Sequence, residues 1–565
     1  VESSISGQVK LTQDEQSLLD DHLHYNDYRA ATSPIIRDIL DHADVPNAVI
    51  TVYDKTYVPV GEINDHISVT ADFTRNAIDA ATIVIKSSDP ILSTIMQCHE
   101  TVVPITIQVG GLRWSGRVDN YDYAMVGGNK TVTVQCMGDY AWFSKIMVWP
   151  NFLLPLQAQW PTRALFIGPA VTCIKTMIAE QCFRLQSGIW EFIDNLGSLN
   201  FDPQSWAGTY IMGDGNPLDM LRHPIVVIPT DPVFDRSKWV SFNGRMDKIS
   251  TIVDQVLKDN GLLLTADLWL PGDPQPAGLL LPLKAPTIVV DVKDRSGITG
   301  PTGTFIDGLI GNFIDILGAF GDALQPLLNS GKEYAPEGAN IAPIFGVNFV
   351  QPWVLFQDHP RGGITEFHLF GHHPLAHTAI GGGKSPKWLN DLINATFEWA
   401  IDAISIAIGI TGIPSDLLNG TLDDTLLAFS QVENFDRRKK LGPYGWPEFF
   451  VQTGASAYTL DEWFALAAAM WDTRGYHAVT LTFDNGFPYT LGKDLFVGSM
   501  ASFAIEGKLF TEYVEKVTYE DNRNSRAKIK VVIGDGKRHE NPIIKLQRNL
   551  VHFQEAFQII TLSSN

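Results

Sequence analysis

The spacing of hydrophobic positions changes several times along the chain, and each change predicts a different element. Residues 10–45 are polar, with Leu18, Leu19, Leu23, Ile35, Ile36 and Ile39 as candidate buried positions of a helical segment that Pro46 ends. From Ala48 to about Met137 the period falls to two. Ile50-Thr51-Val52-Tyr53 opens this region and Thr82-Ile83-Val84-Ile85 continues it. Val103, Ile105, Ile107 and Val109 then alternate up to Gly110-Gly111. Leu112 and Trp114 begin a return strand, Val126-Gly127-Gly128-Asn129 carries turn chemistry, and Val132, Val134 and Cys136 alternate after it. Repeated strand–turn–strand with paired glycines predicts an antiparallel meander or small barrel over residues 47–150.

The middle of the chain mixes periods. Asp139 to Trp149 reads as a short aromatic helix before Pro150, and a second helix is expected from Ala170 to Arg184. Arg245 to Asn260 places Ile249, Ile252, Val253, Val256 and Leu257 on one helical face, with Gly261 as its stop. Strands follow at Leu262–Leu270 and Thr287–Val292. Residues 300–425 hold two apolar, glycine-punctuated segments, Phe305–Leu328 and Trp388–Leu418, around a Gly/His/Pro-rich loop, and read as an insertion. Alternation returns at 495–497, 501–505, 513–519 and 529–533, and a last amphipathic helix is expected from Pro542 to Phe557. No internal repeat is legible in the residues.

The expected fold class is therefore α+β and β-rich. It comprises an N-terminal helical segment (1–46), a first antiparallel β-barrel (47–150), a mixed α/β middle (151–299) and the apolar helical insertion (300–425). A return to the middle (426–488) and a second barrel with the C-terminal helix (489–565) complete it. With 565 residues the chain exceeds one core. Its 63 acidic against 42 basic residues give a net charge of −21, which disfavours a basic nucleic-acid face. Cys98, Cys136, Cys173 and Cys182 show no paired metal-ligand spacing and read as buried thiols of a protein made in reducing cytosol. Neither a signal peptide nor a membrane span is expected.

Candidate chemistry is sparse. Thr378-Ala-Ile-Gly-Gly-Gly-Lys384-Ser385 nearly fits a phosphate-binding loop, but Thr378 replaces the first glycine and Pro386 follows. Glu366, His368, His372, His373 and His377 are weak metal candidates without any hydrolase spacing, and solvated loop histidines are the simpler reading. Acid pairs such as Asp423-Asp424 and Asp461-Glu462 are neighbours in sequence, which does not build a general acid and base. Arg437-Arg438-Lys439-Lys440 is the one dense basic run and reads as an intersubunit salt-bridge patch. No catalytic residue, cofactor or bound metal is expected.

Three stretches resemble the hub-like minor tail proteins of siphophages, especially those infecting actinobacteria. One joins Val52-Tyr-Asp-Lys-Thr-Tyr-Val-Pro-Val-Gly-Glu-Ile, Ser68-Val-Thr-Ala-Asp-Phe-Thr-Arg-Asn-Ala, Leu112-Arg-Trp-Ser-Gly-Arg-Val and Val132-Thr-Val-Gln-Cys-Met-Gly-Asp-Tyr. The second joins Trp269-Leu-Pro-Gly-Asp and Ile288-Val-Val-Asp-Val-Lys-Asp-Arg-Ser-Gly. The third runs from Tyr489-Thr-Leu-Gly-Lys-Asp-Leu-Phe-Val-Gly to Gly534-Asp-Gly. The resemblance implies a structural protein of the virion tail tip, assembled in the host bacterial cytoplasm. It implies a homotrimer whose two hub barrels per subunit adapt a sixfold tail tube to a threefold tip. Its partners would be the distal tail protein, the tape-measure protein and other tail-tip proteins. Phage DNA would pass the lumen without sequence recognition, and the tip would contact the host envelope. The alternative is a tail-associated cell-wall hydrolase using the histidines or an acid pair.

Overall fold

A computed structural model describes, with gaps in each range, residues 48–186, 225–310, 348–382 and 429–534. The expected helices at 10–45 and Pro542–Phe557, the segment Trp388–Leu418 and most of Phe305–Leu328 lie outside the described residues. Residues 305–310 are helical. No described helix is long and apolar enough to cross a membrane.

The first unit is the predicted meander. It contains β1 (Val49–Tyr53), β2 (Pro59–Ile63), β3 (Ser68–Thr74), β4 (Ala80–Lys86), the short helix α1 (Leu92–Ile95), β5 (Pro104–Val109), β6 (Leu112–Val126) and β7 (Asn129–Gly138). Alternation decides its faces. Ile83, Ile85, Ile105, Ile107, Val132 and Val134 are fully buried in one core, while Val84 and Thr133 between them are only partly buried. The turn from β6 to β7 uses Gly127 at φ 59° and Gly128 at φ 85°, a conformation that glycine adopts without penalty.

The middle unit follows, with β8 (Met147–Val148), β9 (Ala164–Pro169), helix α2 (Ala170–Gln186), β10 (Ile225–Val227), β11 (Trp239–Gly244), β12 (Asp247–Lys248), helix α3 (Ile249–Asp259), β13 (Leu262–Trp269) and β14 (Thr287–Asp294). The stretch after Asp139 is a 3₁₀ turn, Asp139–Ser144, that gives way to β8 where a longer helix was expected. β14 is central in a three-stranded sheet, parallel to β10 and antiparallel to β13. Ile249, Val253 and Leu257 of α3 pack with Ile174, Met177 and Ile178 of α2 in one core. The first turn of α2 is capped from a distant loop: Ala170 N–H donates to the Lys238 carbonyl, Val171 N–H to Ser237 Oγ at 3.0 Å and Thr172 N–H to Asp235 Oδ2 at 2.8 Å.

After a minor pair, β15 (Ile298–Thr299) with β16 (Asn348–Phe349), the remaining strands are β17 (Leu355–Gln357), β18 (Ile364–His372), β19 (Thr378–Gly382), β20 (Phe429–Glu433), helix α4 (Phe435–Leu441), β21 (Glu448–Val451), β22 (Tyr476–Asp484), β23 (Met500–Ile505), β24 (Lys508–Asn522) and β25 (Ser525–Ile533). The expected strand at 495–497 is only an isolated bridge at Leu495.

β17, β18 and β22 to β25 join the first unit in a 13-stranded sheet of order β18-β22-β25-β24-β3-β4-β7-β6-β5-β1-β2, with β23 between β24 and β17. This path is open, so the two barrels expected from the sequence are two strand units on one sheet, with no closed barrel among the described residues. The expected Gly/His-rich loop is a strand, β18, which pairs with β22 from Ile364 to His372. Strands from the expected insertion and middle return thus belong to the second strand unit, and β19, β20 and β21 form a small separate sheet between β18 and β22.

The two strand units repeat one another, although the residues show no repeat. β3-β4-β7-β6-β5 and β18-β22-β25-β24-β23 have the same sheet order, the same chain order and antiparallel neighbours throughout. β5 and β23 each have 6 residues, and β6 and β24 each have 15. Both long strands are kinked at the same step, between Val118 and Asn120 and between Val514 and Lys516. Core positions correspond: Trp114 with Phe510, Val134 with Val531, and Cys136 with Ile533, all buried. The repeat ends beyond β5 and β23, since β1 runs antiparallel to β5 but β17 runs parallel to β23.

Candidate functional site

The histidines are spread along β18 and the turn after it. Successive side chains on a strand alternate faces and advance about 3.3 Å each, so His368 and His372 share a face but stand roughly 13 Å apart. His372 Nδ1 lies 2.6 Å from the His373 carbonyl, and His373 Nδ1 lies 2.8 Å from the Pro374 carbonyl. The two rings stack at 5.1 Å. His377 contacts Thr378 Oγ1 at 2.9 Å and Glu433 at 3.5 Å. Among the described residues no three His, Cys, Asp or Glu side chains are grouped to hold a metal.

The first five residues of the phosphate-loop resemblance, Thr378–Gly382, form β19, paired with β20 on one side and β21 on the other, so their backbone N–H groups serve the ladder. Gly383, Lys384 and Ser385 lie outside the described residues. The basic run lies on α4. Arg437 turns inward, 7% exposed, and donates to the Ala376 carbonyl at 2.8 Å, while Arg438 pairs with Glu433 at 2.8 Å. The expected intersubunit patch thus spends its first two cations within the subunit. The acid pairs Asp423-Asp424 and Asp461-Glu462 lie outside the described residues.

What the structure does build is a seam where three units meet. β24 of the second unit pairs with β3 of the first, from Lys516↔Thr74 to Asn522↔Ser68. Polar pairs flank this ladder: Arg75–Glu515 at 2.7 Å, His66–Asp521 at 3.0 Å, Lys516–Asp72 at 3.1 Å and Thr518 Oγ1 to Asp72 at 2.7 Å. The Arg75 guanidinium lies 3.7 Å over the Tyr513 ring. Gly261, at φ 63°, ends α3 where a Cβ would strike the Tyr513 hydroxyl. Asn76, at φ 51°, donates to the Leu262 carbonyl at 2.8 Å and accepts from Leu264 N–H at 2.9 Å, tying the first unit to β13. Arg113 binds both carboxylate oxygens of Asp273, at 2.5 and 3.0 Å.

Three carboxyls near this seam are perturbed. Burial pushes Asp79 up to about 7, against the Thr74 hydrogen bonds that favour its charge. Burial also raises Asp139 and Asp267. All four cysteines are free, and burial lifts the Cys173 and Cys182 thiols to about 12, which leaves them unreactive.

The outer half of β6 and the strand β18 expose apolar side chains at sheet edges. Tyr123 is 44% exposed and Met125 65%, while Phe367 and Leu369 are 43% and 37% exposed. No chemical motif marks these positions. The signal was the alternation itself, in Tyr121-Asp-Tyr123 and in Glu366-Phe-His368-Leu369.

The described residues thus offer a seam between units and exposed apolar strand edges. The family model described as the siphovirus ReqiPepy6 Gp37-like protein matches residues 49–535. The chain belongs to this siphovirus family. It is 23% identical over 554 residues to the minor tail protein Gp28 of Mycobacterium phage D29, covering 86% of this chain and 90% of the relative. It is 24% identical over 492 residues to Gp28 of Mycobacterium phage L5, covering 76% and 80%. Among solved structures, the 43 kDa tail protein of prophage MuSo2 from Shewanella oneidensis aligns over 88% of this chain and 98% of its own, with 9% identity and a TM-score of 0.37. Both relatives are named minor tail proteins, and these findings support a structural role in the phage tail for this family member.

Proposed function

We propose that this minor tail protein is the hub of the tail tip. Three copies form a ring around a central passage, and each contributes its two strand units, so a threefold assembly presents six similar units to a sixfold tail tube. The observation that carries this reading is the internal repeat: one subunit holds two strand units of the same order, the same hairpin lengths and the same bulge. Duplication of this kind lets a threefold ring match a sixfold one, because symmetric partners need only locally similar surfaces. The ring would sit against the distal tail protein and enclose the end of the tape-measure protein. It would gate DNA ejection at host entry, with the tip toward the host envelope. Native mass measurement of the full chain, concentrated and in detached tail tips, tests the stoichiometry. A species of three chains is expected, and a stable six-chain ring would overturn the proposal.

A further inference from the structure

Because the strand units repeat, the joint between them within one subunit is a template for the joint between subunits. In the second unit, β24 pairs with β25 on one side. On the other side its first half pairs with β23 and its second half with the β3 edge of the first unit. In the first unit, β6 pairs with β7 on one side, and its first half with β5 on the other. Among the described residues no strand pairs with the second half of β6 on that side. The counterpart of β3 in the second unit is β18, and among the described residues it pairs only with β22. The edge that β24 fills and the edge that β3 offers are therefore each repeated once, with no strand paired to them among the described residues.

We propose that the second half of β6 in one subunit pairs antiparallel with β18 of the next copy of this chain, repeating the β24–β3 joint between subunits. This rests on the hub reading and deepens it, by naming the surface that closes the ring. The internal joint fixes the register. There Val517 faces Phe73, Thr518 faces Asp72 and Tyr519 faces Ala71. Through the shared hairpins and bulge, Val517, Thr518 and Tyr519 correspond to Tyr121, Asp122 and Tyr123. Through β4 and β22, Ala71, Asp72 and Phe73 correspond to Phe367, His368 and Leu369. The intersubunit pairs are then Tyr121 with Leu369, Asp122 with His368, and Tyr123 with Phe367.

Three features of the free edges fit that register. Val517 and Tyr519 are 0% and 1% exposed at the filled joint, whereas Tyr123 at the open one is 44% exposed. Its proposed partner Phe367 is 43% exposed, and Leu369, opposite Tyr121, 37%, so pairing covers apolar surface on both sides at once. On the opposite face Asp122 meets His368, where the internal joint sets the Thr518 hydroxyl on Asp72 at 2.7 Å. An edge of this kind is a liability unless covered, and a neighbouring strand satisfies its backbone groups as well as its side chains. The joint is head-to-tail, and a head-to-tail contact closes into a ring when its rotation allows.

Cysteine cross-linking reads the register directly. Opposed Cα atoms in an antiparallel pair lie about 4.5–5.5 Å apart, within the span of a disulfide. Full-length chains carrying Asp122→Cys with His368→Cys, or Ala124→Cys with Glu366→Cys, are assembled into tail tips and mildly oxidised. Covalent dimers and trimers that disappear on reduction are expected from both pairs. Each single variant, and the displaced pair Asp122→Cys with Glu366→Cys, should give few or none. Three-chain assemblies that resist cross-linking at both matched pairs would overturn this joint while leaving the hub reading intact. Tail tips holding one copy of the chain would overturn both. Cross-links to a different tail protein would assign these edges to that partner and reject the present pairing.

Discussion

Lys175 projects from α2 into a site where it is 7% exposed, and its ammonium meets Asp291 Oδ1 at 2.7 Å and Thr230 Oγ1 at 2.7 Å. Removing one partner of a buried pair strands a charge, at a cost of about 3–5 kcal/mol, whereas an apolar replacement of similar volume is often tolerated. Urea melts should therefore show Asp291→Ala strongly destabilised and Lys175→Met much less so. Equal losses would mean the pair is not desolvated. Asp79 gives a pH signature. Its carboxyl is pushed up to about 7 by burial, so the folded chain holds that proton more tightly than the unfolded one, whose value is about 3.9. Its contribution to stability is complete below about pH 3.9 and is lost as the pH rises towards 7. Asp79→Asn should lose less stability than the native chain between pH 4 and pH 8. Parallel curves would remove Asp79 from the account. The histidines, read from the sequence as solvated residues of a loop with weak metal potential, hid by their type the alternation of Phe367 and Leu369 on the strand β18.

At the level of elements, Tyr123 on β6 and Tyr519 on β24 hold the same place in the repeat with opposite burial. Tyr519 is 1% exposed at the filled joint, so Tyr519→Ala should cost about 3–5 kcal/mol in folding, as large aromatic truncations do. Tyr123→Ala should leave the melting of the isolated chain nearly unchanged and weaken its assembly. A reversal of these effects would argue against the equivalence of the two strands. The first unit was legible because its strands follow one another closely along the chain and Gly110-Gly111 and Gly127-Gly128 mark two of its turns, so period two survives in the residues. The second unit was only half legible. β18 and β22 are separated by residues 373–475, and no local pattern announces that they pair. The repeat was invisible because equivalent core positions share size and burial rather than identity, as with Trp114 and Phe510 or Cys136 and Ile533. Many apolar side chains fill such a position equally well.

On the scale of the whole molecule, the proposed hub role makes the acidic excess a constraint on how the passage would handle DNA. With a net charge of −21, the passage is expected to repel the DNA backbone or leave it unheld, so that DNA slides through. The assembled protein should then fail to retain duplex DNA even at low salt. Retention that weakens steeply with salt would reveal a cationic lining and contradict this. The most direct test of the account is a density map of the intact tail tip that resolves this chain. The account predicts three copies around the axis, with six strand units alternating in one ring and β6 of each subunit beside β18 of the next. Six copies, or three copies whose two strand units do not lie side by side in one ring, would contradict it.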